Sequence, residues 1–222
     1  MNAPPDLNRL ASLYPCMEVF TFGPWLTRCR VAFLHEMRHC RRALVLGDGD
    51  GRFTARLLRT NQEVEVDAVD ASTAMLRALI RRAGPHADRV HAHCADVRLW
   101  QPANPPYDLV VTHFFLDCLT NDEVLALAKK LHGALSPSAL WVISEFVIPR
   151  EGFGRLVARP VVSGLYVGFR WLTGLVVREL PDHPAVLQRS GFALQSRRTM
   201  LAGLLAGEIW SLGDIALPVM SQ

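Results

Sequence analysis

Three glycines at alternate positions, Gly47, Gly49 and Gly51, separate a short apolar run from a helical pattern. A strand that passes through such a turn into a helix exposes bare backbone and unpaired amide groups to a ligand. Asp48 lies inside the turn and belongs to the same predicted site. The spacing is G-x-G-x-G, and Arg52 stands where a dinucleotide fingerprint would carry its third glycine. The pattern predicts a cofactor-binding turn, and a glycine turn in another kind of nucleotide-binding α/β protein is the alternative.

Asp70 ends the next apolar run, one strand–helix–strand unit after the glycine turn. An acidic residue at that place can accept hydrogen bonds from both hydroxyls of a ribose. The alternative is that Asp70 caps the helix that follows, a role that Ser72 can also fill.

The glycine turn resembles the first motif of the class I S-adenosylmethionine-dependent methyltransferases, and D-x-S-x-x-M-L at 70–76 is similar to the second. The resemblance implies S-adenosylmethionine as cofactor, with the turn against its methionine part and Asp96 and Val97 at its adenine. One departure is Val45, which stands where the family often carries an acidic residue. The implied cofactor contacts are Gly47, Asp48, Gly49, Gly51, Asp70, Ala71, Met75, Asp96, Val97 and His113.

His113 and Asp117 follow the fourth predicted strand, and the carboxyl ends of strands face the ligand in open α/β sheets. We predict them as catalytic residues. Histidine titrates near neutrality and can take a proton if the methyl acceptor must lose one. The alternative is that His113 packs against the cofactor or caps the next helix.

Asn104-Pro105-Pro106-Tyr107 matches a motif of methyltransferases that act on the amino group of adenine or glutamine, where it follows strand four. Here it precedes the apolar run 107–113, so we interpret it as a proline turn that leads into strand four.

Alternating apolar runs and helical patterns predict an α/β fold, and the resemblance implies a Rossmann-like, doubly wound, mostly parallel sheet of seven strands with the last antiparallel. The predicted strands are residues 43–46, 64–69, 90–94, 107–113, 139–148, 192–198 and 204–212. The predicted helices include 52–59, one that opens at 70–76, 121–135 and 182–190. We expect a single methyltransferase domain over residues 1–222.

Two segments are additions to this frame. Residues 1–40 are predicted as a helical extension, with apolar residues at helical spacing over 25–37 and Tyr14 as a candidate cofactor or substrate contact. Residues 150–178 are predicted as a helical cap, because 153–177 are strongly apolar and contain no acidic residue. Such a segment can close a substrate pocket, pack against the sheet or a second subunit, or contact a membrane surface.

Composition narrows the classes of function. The net charge is +3, and 22 of the 24 basic residues are arginines, scattered evenly enough to favour genome composition as the cause. No nucleic-acid partner is expected. The five cysteines lack metal-ligand or disulfide spacing, so we expect no metal site and a cytoplasmic protein.

We therefore predict methyl transfer by in-line displacement to a small, fairly apolar acceptor. The alternatives are an RNA or protein methyltransferase, which a clustered basic groove would favour, and a cofactor-binding module without catalysis.

Overall fold

The computed structural model describes residues 24–147 and 181–213. They form one seven-stranded sheet, as predicted, and its strand order is β3-β2-β1-β4-β5-β7-β6. The strands are β1 (Arg42–Leu46), β2 (Glu65–Asp70), β3 (Val90–Cys94), β4 (Tyr107–His113), β5 (Leu135–Phe146), β6 (Phe192–Met200) and β7 (Leu205–Leu212). β7 pairs antiparallel with both β5 and β6, and the other neighbouring pairs are parallel.

The strand order reverses at β1, since the chain runs from β1 through β2 to β3 and then returns to β4 on the other side. The carboxyl ends of β1 and β4 therefore meet at the switch point of the sheet, where open α/β sheets bind their ligands.

The helices are α1 (Pro24–Arg30), α2 (Arg52–Thr60), α3 (Thr73–Ala83), α4 (Asn121–His132) and α5 (His183–Arg189). The N-terminus of α4 is a capping box, in which the Thr120 and Glu123 side chains each accept from the other's backbone amide.

Apolar clusters cover both faces of the sheet, which explains why its central strands are apolar without alternation. In β1, Val45 belongs to one cluster, while Leu44 and Leu46 belong to the other. Val45 is 1% exposed, so the position that departs from the family's acidic residue is an ordinary core position here.

Three predicted boundaries were wrong by more than two residues. The helix predicted over 25–37 ends at Arg30, and the chain continues in turns because amides such as those of Leu34 and Glu36 donate to carbonyls three residues back. The strand predicted from 139 begins at Leu135, and the predicted end of α4 moves back to His132. Pro137 fits inside β5 because the pairing with β4 is interrupted by a register shift at that point.

Tyr14, most of the predicted extension 1–40 and the predicted cap 150–178 lie outside the described residues. Within 24–147 and 181–213, no helix is long and apolar enough to span a bilayer.

Candidate functional site

The glycine turn joins β1 to α2, and all three of its glycines have positive φ, at 68° for Gly47, 60° for Gly49 and 79° for Gly51. A Cβ added at Gly51 would come within 2.6 Å of the Leu79 backbone, so this glycine permits the close approach of α2 and α3. A Cβ added at Gly49 would meet nothing nearer than the Met75 sulfur at 3.9 Å. Gly49 therefore faces the open space that a ligand could occupy, whereas Gly51 serves the packing of the fold.

Gly47 lies under an aromatic ring. Its amide donates to the Val69 carbonyl at 2.9 Å, which ties the end of β1 to β2. An added Cβ would fall 2.2 Å from the Phe115 ring, which comes from the turn after β4. The backbone of Gly47 thus forms part of the contact between the ends of β1 and β4.

Asp48 directs its carboxylate into the protein. One oxygen accepts from the amide of Thr54 at 2.8 Å and from its hydroxyl at 2.7 Å. Burial raises the pKa of Asp48 to about 6. The carboxylate is hydrogen-bonded to the first turn of α2, so only the backbone of Asp48 is left to contact a ligand.

Asp70 ends β2 beside the glycine turn. Its carboxylate accepts from the amide of Ser72 at 2.8 Å and from the amide of Gly49. Burial raises its pKa above the usual range. The Ser72 hydroxyl accepts from the amide of Met75 at 3.3 Å and caps α3, so the helix cap does not need Asp70. Asp70 links the ends of β1 and β2 and lies opposite Cys94 of β3 in the sheet register.

The loop after β3 holds the residues that the resemblance places at an adenine. The carboxylate of Asp96 accepts from the Arg98 side chain at 2.9 and 3.0 Å, and that contact lowers its pKa. Arg98 also reaches Glu123 at 3.2 Å. Val97 is buried in the core. An adenine amino group would have to share the Asp96 carboxylate with Arg98.

His113 ends β4 and is 4% exposed. Its ring packs edge-on against Phe53 with 4.5 Å between centroids, and neither ring nitrogen has a hydrogen-bond partner among the residues described. Burial and the nearby charge of Arg30 hold its pKa well below the usual range. The imidazole is therefore neutral at physiological pH.

A pair of carboxyl groups, those of Asp117 and Glu145, lies beyond the end of β4. One Glu145 oxygen accepts from the amides of Phe115 at 3.0 Å and Leu116 at 2.8 Å, so it fixes the turn that carries Asp117. Burial raises the pKa of Asp117 to about 6. Burial and the charge of Asp117 raise the pKa of Glu145 well above its usual range.

The sequence reasoning missed Glu145 as a member of this site. The sequence did carry a signal for Glu145, because it is the one charged residue of β5. A buried acid at the carboxyl end of a central strand needs hydrogen-bond donors, and the turn after β4 supplies them.

The N-P-P-Y segment has a structural role. The Tyr107 hydroxyl donates to the Asp67 carboxylate at 2.8 Å, and the Asn104 amide donates to it at 3.0 Å. His93 contacts the same carboxylate at 2.8 Å. The segment precedes β4, which confirms the interpretation as a turn into that strand.

Five arginines line a groove outside the switch point, with a volume of about 260 Å³. Arg30 comes from α1, Arg82 from the end of α3, and Arg52, Arg56 and Arg59 from one face of α2. We call this the arginine groove. The sequence suggested scattered arginines, and the packing of three helices brings these five together.

Comparisons with known proteins agree with this geometry. Residues 43–138 match a family model described as "Methyltransferase domain". The chain is 33% identical over 122 residues to the tRNA1(Val) (adenine(37)-N6)-methyltransferase of Enterobacter sp. (strain 638), and the match covers 51% of this chain and 49% of the relative. It is 40% identical over 108 residues to the malonyl-[acyl-carrier protein] O-methyltransferase of Halorhodospira halophila, with 49% and 36% covered.

A solved structure with the same fold is an O-methyltransferase from neocarzinostatin biosynthesis in complex with S-adenosylmethionine and 2-hydroxy-5-methyl naphthoic acid. Its TM-score is 0.66 at 14% identity, and the match covers 93% of this chain and 60% of that one. The matches span half or less of the two curated relatives.

Proposed function

We propose that this chain is a class I S-adenosylmethionine-dependent methyltransferase and that it transfers a methyl group from that cofactor to a small, fairly apolar acceptor. The observation that carries the proposal is the open space over Gly49, bordered by the Asp70 carboxylate at the switch point of the sheet. A glycine backbone that borders open space, beside an acidic residue at that place, suits a nucleoside with a polar tail.

In this proposal the backbone of Gly47, Asp48 and Gly49 holds the methionine part of the cofactor, and Asp70 accepts from the ribose hydroxyls. Ala71 and Met75 are the proposed neighbours of the ribose. The cofactor supplies a methyl group on a positively charged sulfur, and the protein holds the acceptor in line with it.

Gly51 would act indirectly, by holding α2 against α3. The proposed adenine site is Asp96 with Val97, and the ion pair with Arg98 sets the direction of the Asp96 carboxylate. Tyr14 stays a predicted contact outside the described residues.

The pKa values of the two catalytic candidates suggest different roles. His113 binds a proton weakly because its pKa is well below the usual range, so we assign it to orienting the acceptor or packing on the cofactor. Asp117 has a pKa of about 6 and is the better proton acceptor near neutrality. For a hydroxyl acceptor, the Asp117 carboxylate would take the O–H proton while the methyl group that the cofactor supplies passes from its sulfur to the acceptor oxygen.

A small acceptor is supported by the fold shared with the O-methyltransferase whose structure holds a methylated naphthoic acid. We also propose, as an extension of the same function, that 150–178 form a cap over this acceptor. That segment lies outside the described residues, so the cap rests on its sequence alone.

An RNA acceptor is the second candidate, and the arginine groove is the observation that favours it. One of the relatives is a tRNA adenine methyltransferase. The N-P-P-Y segment argues against an adenine amino group as acceptor. It precedes β4 and donates hydrogen bonds to Asp67, whereas the motif of the amino methyltransferases follows strand four. We therefore prefer the small acceptor.

Two measurements test this function. Isothermal titration with S-adenosylmethionine should show one site per chain, and transfer of labelled methyl groups should modify a component of a metabolite extract. Modification of total RNA in place of the extract would establish the second candidate. Cofactor binding with no transfer to metabolites, RNA or protein would reduce the chain to a binding module.

A further inference from the structure

Two of the charges in the arginine groove, those of Arg56 and Arg59, are uncompensated among the described residues. The Asp50 carboxylate accepts from Arg52 at 3.1 Å and from Arg82 at 2.7 Å. Among the described residues, no acidic side chain lines the groove, and the Arg56 and Arg59 side chains make no hydrogen bond or ion pair there. Arg56 and Arg59 thus lie beside three further arginines without an acidic partner of their own, and the repulsion between these guanidinium groups favours an added anion.

The arginines converge because of the geometry of α2. Arg52, Arg56 and Arg59 are spaced i, i+4 and i+7, which places them on one face of that helix. Arg30 of α1 is held across the groove, with its guanidinium 5.1 Å from the centre of the Phe114 ring. The floor contains Phe53, which is 1% exposed. Arg30 and the buried Phe53 ring are therefore the packed parts of the groove, and Arg56 and Arg59 are its exposed charges.

We infer that the arginine groove binds a small ligand through its phosphate or diphosphate group. Guanidinium groups present paired donors that match the oxygens of a phosphate, and several of them can surround one dianion. The cavity of about 260 Å³ is smaller than the roughly 300–1,000 Å³ of sites for drug-sized ligands. That size suits a diphosphate better than the backbone of a nucleic-acid strand.

The groove is separate from the proposed cofactor site but adjoins it. Phe53 lines the groove on one side and packs against His113 on the other. The inference does not rest on the proposed methyl transfer, since the groove lies on the outer side of α2. An anion bound in the groove would interact with the positive charge of Arg30, which also acts on His113 at the end of β4.

The test uses the full chain and inorganic pyrophosphate at low ionic strength. Isothermal titration should show one site per chain, and Arg56→Gln with Arg59→Gln should weaken it at least about tenfold, because each lost charge-assisted bond counts about that much. Arg77→Gln with Arg189→Gln is the matched control. Those two arginines are exposed on α3 and α5, and their replacement changes the net charge by the same amount without weakening binding.

Four results would overturn the inference. Pyrophosphate could fail to bind the wild-type protein at low salt, or citrate could bind equally well, which would leave only general anion attraction. A single-stranded RNA oligonucleotide could bind more tightly than pyrophosphate and lose that affinity in the groove variant, which would assign the groove to nucleic acid. Saturating S-adenosylmethionine could displace pyrophosphate, which would make the groove part of the cofactor site. Circular dichroism of the variants confirms that any loss is not one of folding.

Discussion

Replacing Gly49 and Gly51 by alanine should separate cofactor binding from folding. Both residues have positive φ, so alanine pays a similar backbone cost of about 1–2 kcal/mol at each position. Alanine also makes the unfolded chain less flexible than glycine does, which stabilises the folded state by roughly 0.4–1 kcal/mol in both variants. The difference between them therefore comes from what the new methyl group meets.

At Gly51 the methyl group would lie 2.6 Å from the Leu79 Cα atom, so the backbone of α3 must shift at that residue. Overpacking of this kind costs about 1–3 kcal/mol. At Gly49 the nearest atom is the Met75 sulfur at 3.9 Å, an ordinary contact, so no such cost arises. We expect Gly51→Ala to lower the free energy of unfolding by about 1–3 kcal/mol more than Gly49→Ala does.

The assays are urea unfolding followed by circular dichroism, and isothermal titration with S-adenosylmethionine. Gly49→Ala should lose cofactor affinity while it keeps most of its stability, because its methyl group enters the proposed site. Gly51→Ala should show the larger loss of stability. Equal losses of stability in the two variants, or full cofactor affinity in Gly49→Ala, would refute the reasoning.

Three further predictions concern single side chains. Asp70→Asn should weaken S-adenosylmethionine about ten- to hundredfold in isothermal titration, because the ribose loses a charged acceptor; exposed Asp88→Asn is the control, and equal affinities in both would remove Asp70 from the site. Turnover should fall as the pH drops through about 6, since protonated Asp117 cannot accept a proton. Asp117→Asn should be slow at every pH and should lack this acidic fall in its pH–rate profile. If the fall persists in the variant, it is caused by another group. His113→Ala should lower kcat more than it lowers the affinity for the cofactor. Equal losses of kcat and affinity would show that His113 has only a packing role.

The central strands of the sheet were predictable because they are short apolar runs between clear breaks. β3 and β4 have the predicted bounds, and the others differ by a few residues. β5 was predicted too short because Ser136 and Pro137 are typical of a helix end, and only pairing with β4 reveals the register shift that admits proline. The helix over 25–37 was predicted too long because the turns after Arg30 still bury the apolar residues Phe33 and Met37, as a helix would.

The site was predictable in position but not in side-chain contacts. The glycine spacing and Asp70 locate the switch point, since both depend on the local chain. The pairing of Asp96 with Arg98 and of Asp48 with Thr54 depends on rotamers that the sequence does not specify. The arginine groove requires three helices to pack together, and residues 30 and 82 are too far apart in the chain for any spacing rule to connect them.

The position of Cys94, opposite Asp70 at the end of β3, has a practical consequence for spectroscopy. It is the exposed thiol of the described chain, whereas burial raises the pKa of Cys29 to about 11 and that of Cys40 to about 12. Cys118 has a pKa raised well above its usual range for the same reason. Thiolates react and thiols do not, so a maleimide dye at neutral pH should select Cys94 once Cys16, outside the described residues, is replaced by serine. A fluorophore attached there would report the filling of the space beside Asp70 in real time.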